Sequence, residues 1–79
     1  MSFRKLNSPR IAKYGFKITM NDNDTHFIEV CSVLAYLPRD QITIRQKQNM
    51  GTLIIDIYSD SVTIDILINN ELTEIFGEK

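Results

Sequence analysis

The stretch Gln41–Asn69, QITIRQKQNMGTLIIDIYSDSVTIDILIN, decides how the chain is read. It holds three apolar-alternating runs, Ile42–Arg45, Leu53–Tyr58 and Val62–Ile68, separated by short polar breaks. Successive side chains of a strand point to opposite faces, so residues two apart share one. Ile42 and Ile44 fall together, as do Leu53, Ile55 and Ile57, and Val62, Ile64, Ile66 and Ile68. The other face carries Thr43, Arg45, Lys47, Ile54, Asp56, Tyr58, Thr63, Asp65 and Leu67. One dry side and one mixed side predict a three-stranded antiparallel meander over 42–68, covered on one face. The β-branched residues that fill the runs favour strand.

The breaks read as turns. Gly51 in Asn49-Met50-Gly51 can take positive φ without a steric penalty, which suits a hairpin. Ser59-Asp60-Ser61 supplies side-chain-to-backbone turn bonds for a second hairpin. Pairing Tyr58 with Ser61 sets Asp56 opposite Thr63 and avoids the like-charge pair Asp56–Asp65. On the first hairpin, Arg45 falls opposite or diagonal to Asp56, a favourable cross-strand pair.

Upstream, Gly15–Met20 alternates Phe16, Ile18 and Met20 with Lys17 and Thr19, predicting a short strand over 15–20. It reads as an edge strand that Lys17 protects from further pairing. Phe27, Val30, Cys31, Leu34 and Leu37 recur at helical spacing, with Asp24 before and Pro38 after as start and stop signals. The β-branched Ile28, Val30 and Val33 argue for strand, but thirteen residues is long for one, and the segment reads as a helix over 25–37 lying on the dry face. Leu72, Ile75 and Phe76 predict a short C-terminal helix over 70–76 stopped by Gly77, with a fourth meander strand as the competing reading. The class is α+β. Residues 1–14 read as a basic N-terminal arm, broken at Ser8-Pro9, and 15–79 as one small domain.

Charge divides along the chain. Residues 1–21 hold Arg4, Lys5, Arg10, Lys13 and Lys17 and no acid, and the remainder holds all ten acids. The pI of about 5.7 thus averages a basic arm and an acidic body. A single cysteine, Cys31, permits no internal disulfide and points to a reducing, cytoplasmic setting. No run is long enough to span a bilayer, and the N-terminus lacks a signal-peptide pattern, so no membrane partner is expected.

No constellation for chemistry emerges. Asn21-Asp22-Asn23-Asp24 resembles a calcium loop only until its sixth and twelfth places, which hold Phe27 and Val33 instead of glycine and glutamate. A turn leading into a helix explains these residues better. His26 and Cys31 have no second histidine or cysteine to complete a zinc site. Five apart on a helix, they do not face each other as nucleophile and base, and Cys31 is expected buried among Phe27, Val30 and Leu34. Asp56 and Asp65, expected on the outer sheet face, lack the cleft that acid–base work needs. The three glycines are scattered, so there is no phosphate loop. The chain reads as a non-enzyme without metal or cofactor.

Two binding surfaces stand out. Ile54, Tyr58 and Leu67, ringed by Arg45 and other charges on the outer face, form a candidate protein interface. On this reading the chain is a small regulatory protein acting through protein–protein contacts, with a homodimer as one form. Its small size and isoleucine- and asparagine-rich composition suggest an accessory protein of a phage or mobile element. The alternative is a nucleic-acid-binding regulator that uses Arg4, Lys5, Arg10, Lys13 and Lys17 of the arm with Arg45 and Lys47.

Overall fold

The computed structural model describes residues 2–7, 10–21 and 23–77. In chain order the elements are β1 (Ser2–Leu6), β2 (Tyr14–Asn21), α1 (Phe27–Tyr36), β3 (Ile42–Asn49), β4 (Thr52–Ser59) and α2 (Val62–Phe76). The strands form one antiparallel sheet in the order β1-β2-β4-β3. Both helices lie on one side of it, so the fold is α+β with a small sheet covered on one face. Ser8-Pro9 and Asp22, which the sequence reading places in the break of the arm and in a turn, lie outside the described residues.

The dry face is the one the alternation marks out. Phe16, Ile18 and Met20 of β2 and Leu53, Ile55 and Ile57 of β4 are all buried. In register, Ile57 faces Phe16 on one side and Ile44 on the other, and Ile55 faces Ile18. Val30 and Leu34 of α1 and Ile64, Ile68 and Leu72 of α2 close over them to complete the core. Each fully buried aliphatic or aromatic side chain contributes about 1.5–3 kcal/mol of transfer free energy. This layer therefore carries most of the stability of a short chain.

β3 and β4 form the expected hairpin. Its two-residue loop has positive φ at both Met50 (52°) and Gly51 (83°), the signature of the turn that matches strand twist. Arg45 stands directly opposite Asp56, as expected. α1 matches the helical spacing and ends where Leu37 turns extended ahead of Pro38. At its start, the Asp24 carboxylate accepts the His26 N–H at 2.9 Å.

The third meander strand does not form: Val62–Ile68 is the first half of α2, which runs on to a left-handed Gly77. Two physical reasons decide against a strand. Both edges of β4 are already taken, by β3 and by β2 (Tyr14↔Ser59 to Asn21↔Thr52), so no ladder was open to a following strand. Ile64, Ile68 and Leu72 also form an i, i+4, i+8 stripe that a fifteen-residue helix buries on the core. Ser59-Asp60-Ser61 is accordingly a helix start. Ser59 Oγ accepts the Ser61 N–H at 3.1 Å and Ser61 Oγ accepts the Ile64 N–H at 3.3 Å. The expected helix over 70–76 is the second half of the same element.

Two further expectations give way. Ser2–Leu6 is not part of an outlying arm but pairs with β2 from Ser2↔Thr19 to Leu6↔Gly15. β2 is consequently an interior strand, and Lys17 guards no edge. Cys31 is exposed, because the buried stripe of α1 runs through Val30 and Leu34.

Candidate functional site: the open face of the sheet

The face opposite the helices is defined by register. Across the four strands, Arg4 faces Lys17, Lys17 faces Asp56, and Asp56 faces Arg45. The next row is Leu6, Gly15, Tyr58 and Thr43, and on the other side Thr19, Ile54 and Lys47 line up. The outward strand positions thus hold Arg4, Lys17, Arg45 and Lys47 against one acid, Asp56. Lys17 Nζ lies 3.2 Å from Asp56 Oδ1 and neutralises it. Arg4, Arg10, Arg45 and Lys47 have no carboxylate within ion-pair distance among the described residues. The described acids of the two helices, Glu29, Asp65, Glu71 and Glu74, sit in the layer on the far side. Part of the charge split along the sequence thus becomes a split between the two layers, while Asp40 and Asp60 stay at the Tyr58 end of the open face.

The segment 10–13 is held at one end of this face. The Lys13 N–H donates to Asp60 Oδ1 at 2.9 Å, which pins the segment beside the end of β4. Arg10 and Ile11 then join Arg4, Lys17, Arg45 and Tyr58 around a hollow of about 600 Å³ whose lining, among the described residues, holds no acid. A second hollow of about 370 Å³ is lined by Arg45, Lys47, Ile54 and Asp56. The two meet at Arg45 and form a track across the sheet.

Tyr58 is placed by what faces it. Gly15 is its cross-strand partner, and a Cβ there would lie 3.0 Å from Tyr58 Cδ1 and 3.2 Å from Leu6 Cδ1. The absent side chain is the space into which the Tyr58 ring leans. A glycine bridged by a neighbouring aromatic in this way keeps its strand packed.

Of the candidate interface residues, Ile54, Tyr58 and Arg45 share this face, whereas Leu67 does not. It lies on α2, partly buried against the core. The expected apolar patch is therefore divided between two sides of the molecule. Among the candidate nucleic-acid residues, Arg4, Arg10, Lys17, Arg45 and Lys47 are brought together. Lys5 is not: alternation turns it to the helix side of the sheet, where its ammonium donates to Asp65 on α2. Its Nζ also stands 5.3 Å and 5.2 Å from the ring centroids of Tyr14 and Phe16. Lys13 contributes its backbone to the loop but does not line the hollow. Asp65, expected on the wet face, is 6% exposed inside the molecule. Leu6, Asn7, Ile11 and Gly15 belong to the site and were not marked by the sequence reading. The alternation Phe3, Lys5 against Arg4, Leu6 was the signal that could have found Leu6.

His26 occupies the other side of the molecule. Its Nδ1 is 3.0 Å from Asp24 Oδ1 and its ring packs on Phe76, 5.5 Å between centroids, which joins the start of α1 to the end of α2. The backbone N–H of His26 donates to the Asp24 carboxylate and holds its pKa below the ordinary 3.8. Among the described residues no helix is long and apolar enough to cross a membrane.

No protein-family model, curated protein or solved structure matches this chain.

Proposed function

We propose that this protein is a non-enzymatic binding module whose open sheet face engages the phosphate backbone of a nucleic acid. One observation carries the reading: Arg4, Arg10, Lys17 and Arg45 converge on a hollow that no carboxylate of the described residues lines. Arg4, Arg10 and Arg45 have no carboxylate partner among the described residues, and cations grouped in this way are favoured by a polyanion, whose condensed counterions they displace into solution. A low pI argues against a wholly basic domain, but the helix acids Glu29, Asp65, Glu71 and Glu74 lie behind the sheet, and on its outward strand positions four cations face one acid, Asp56, which Lys17 neutralises. The module works as a regulator by occupying or recruiting its target, in a cytoplasmic setting.

Binding to a mixed-sequence oligonucleotide, followed by fluorescence anisotropy against salt, tests this. With Arg4, Arg10, Arg45 and Lys47 as the phosphate contacts, the slope of log K on log salt is about −3 on a single strand, roughly a fifty-fold loss between 50 and 200 mM. The double variant Arg4→Glu/Arg45→Glu abolishes binding. Because β1 belongs to the sheet, point substitutions serve here where deleting residues 1–13 would remove a strand. No binding at about 50 mM salt sinks the reading. A salt-insensitive protein partner lost on Ile54→Asp would replace it with a protein-contact role.

A further inference from the structure

We infer that the hollow around Tyr58 takes one unpaired nucleotide, with the base on the Tyr58 ring and its flanking phosphates on Arg4, Arg10 and Arg45. This rests on the phosphate-binding reading above and narrows it to single strands.

The first ground is how the ring is presented. Tyr58 leans into the place where a Gly15 side chain would be, with Leu6 bordering the same place and lining the hollow beside it. It is half-buried, and its remaining surface forms part of the wall of the hollow. Every nucleobase has a π-face, so an aromatic ring fixed among cations is a sequence-tolerant stacking platform.

The second ground is size and shape. A hollow of about 600 Å³ lies inside the range of roughly 300–1,000 Å³ typical of sites for small organic groups. It accommodates a base. A duplex keeps its bases paired and stacked, and can offer one only by flipping it out at a cost of unpairing. Among the described residues the open face also carries no helix to enter a major groove, which is how duplexes are usually read.

The third ground is continuity. The second hollow shares Arg45 with the first and adds Lys47, Ile54 and Asp56, the last neutralised by Lys17. A strand laid from Arg10 to Lys47 meets a cation on each side of Tyr58, with apolar surface again at Ile54. That alternation of charge and apolar surface suits a backbone that carries a base at every step.

The experiment uses the full chain and four labelled probes with equal numbers of phosphates: single-stranded DNA, the same sequence as RNA, the DNA duplex, and a strand with abasic sites. Both single strands should bind about tenfold or more tighter than the abasic strand and the duplex. Whichever sugar is preferred, that pattern supports the inference and separates the two sources of the nucleotide. Tyr58→Leu should bring the intact and abasic DNA strands within about twofold of each other while the salt slope stays unchanged. Arg45→Gln should weaken all four probes and reduce the slope by about 0.7 on the single strands. Gly15→Ala, which crowds the ring without removing it, is the second variant should Tyr58→Leu lose its fold by circular dichroism. It should narrow the same difference. Equal affinity for intact and abasic strands, or a preference for the duplex, overturns the single-strand inference and leaves phosphate binding standing. Failure of all four probes to bind in a salt-dependent way overturns both.

Discussion

Lys5 on β1 donates to the carboxylate of Asp65 on α2, and so ties the first strand to the last helix across 60 residues of sequence. The two partners are not equally placed. The Lys5 side chain is 50% exposed and the Asp65 side chain 8%. Removing the cation therefore strands a carboxylate that water barely reaches, while removing the acid leaves an ammonium that can turn outward.

That asymmetry predicts an order of stabilities. Lys5→Met should cost about 2–3 kcal/mol, somewhat below the usual figure for breaking a buried pair because the lysine is half in water. Asp65→Leu should cost less, and the double variant should recover most of the loss, since an apolar pair of similar volume can replace a buried ion pair. Urea unfolding midpoints of the three variants read the order directly. Equal costs for the two single changes would show that the pair is ordinary surface charge.

Gly15 and Tyr58 give a prediction that separates folding from binding. Gly15→Ala adds a Cβ 3.0 Å from the Tyr58 ring, and the ring must shift. Alanine is also better tolerated than glycine inside a strand by roughly 0.5–1 kcal/mol, so net stability should move by less than about 1 kcal/mol. Thermal unfolding checks the stability. Tyrosine quenching by iodide should rise as the ring is pushed off the sheet.

The turn at Met50 is a place where the protein can be improved. Met50 has φ of 52° and is 97% exposed, so its side chain packs on nothing that offsets the strain. Met50→Asn or Met50→Gly should stabilise the hairpin by about 0.5–1 kcal/mol, because these residues enter the left-handed region with less penalty. A higher urea midpoint with an unchanged slope is the expected result.

Asp24 sets an acid limit. Its folded pKa is depressed by the backbone N–H of His26, so its contribution is complete above the unfolded value. It is lost as pH falls through the lower folded one. Asp24→Asn keeps an acceptor for that N–H but cannot titrate. Stability of the variant should therefore fall less steeply than that of the parent below about pH 3.8. Parallel curves of unfolding midpoint against pH would exclude the effect.

Local pattern carried much of the sheet. The parity of Leu53, Ile55 and Ile57, the hairpin at Gly51, the register that sets Arg45 opposite Asp56 and the helix through Val30 and Leu34 were all legible because neighbours in sequence determine them. The ion pair of Asp56, however, is made by Lys17 and not by Arg45. Val62–Ile68 was not. Ile64 and Ile68 satisfy both a period of two and an i, i+4 spacing, and Asn69-Asn70 looks like a turn when it is an exposed stretch of helix. What decided the matter was the occupant of the far edge of β4, β2, which lies far upstream. The same non-local fact hid the site. The basic charge of the first 21 residues was visible, but its gathering with Arg45 around Tyr58 requires the order β1-β2-β4-β3. Lys5 was misplaced because a lysine reads as wet until its buried partner is known.

The seam between β2 and β4 has a kinetic meaning. Each hairpin can zip from its own turn, but bringing Lys17 to Asp56 closes a loop of about 40 residues, an entropic cost that adjacent contacts never face. The rate of reaching the native state should follow that closure. Substitutions at Ile18 or Ile55 should then slow refolding, while changes near the tips of the hairpins mainly hasten unfolding.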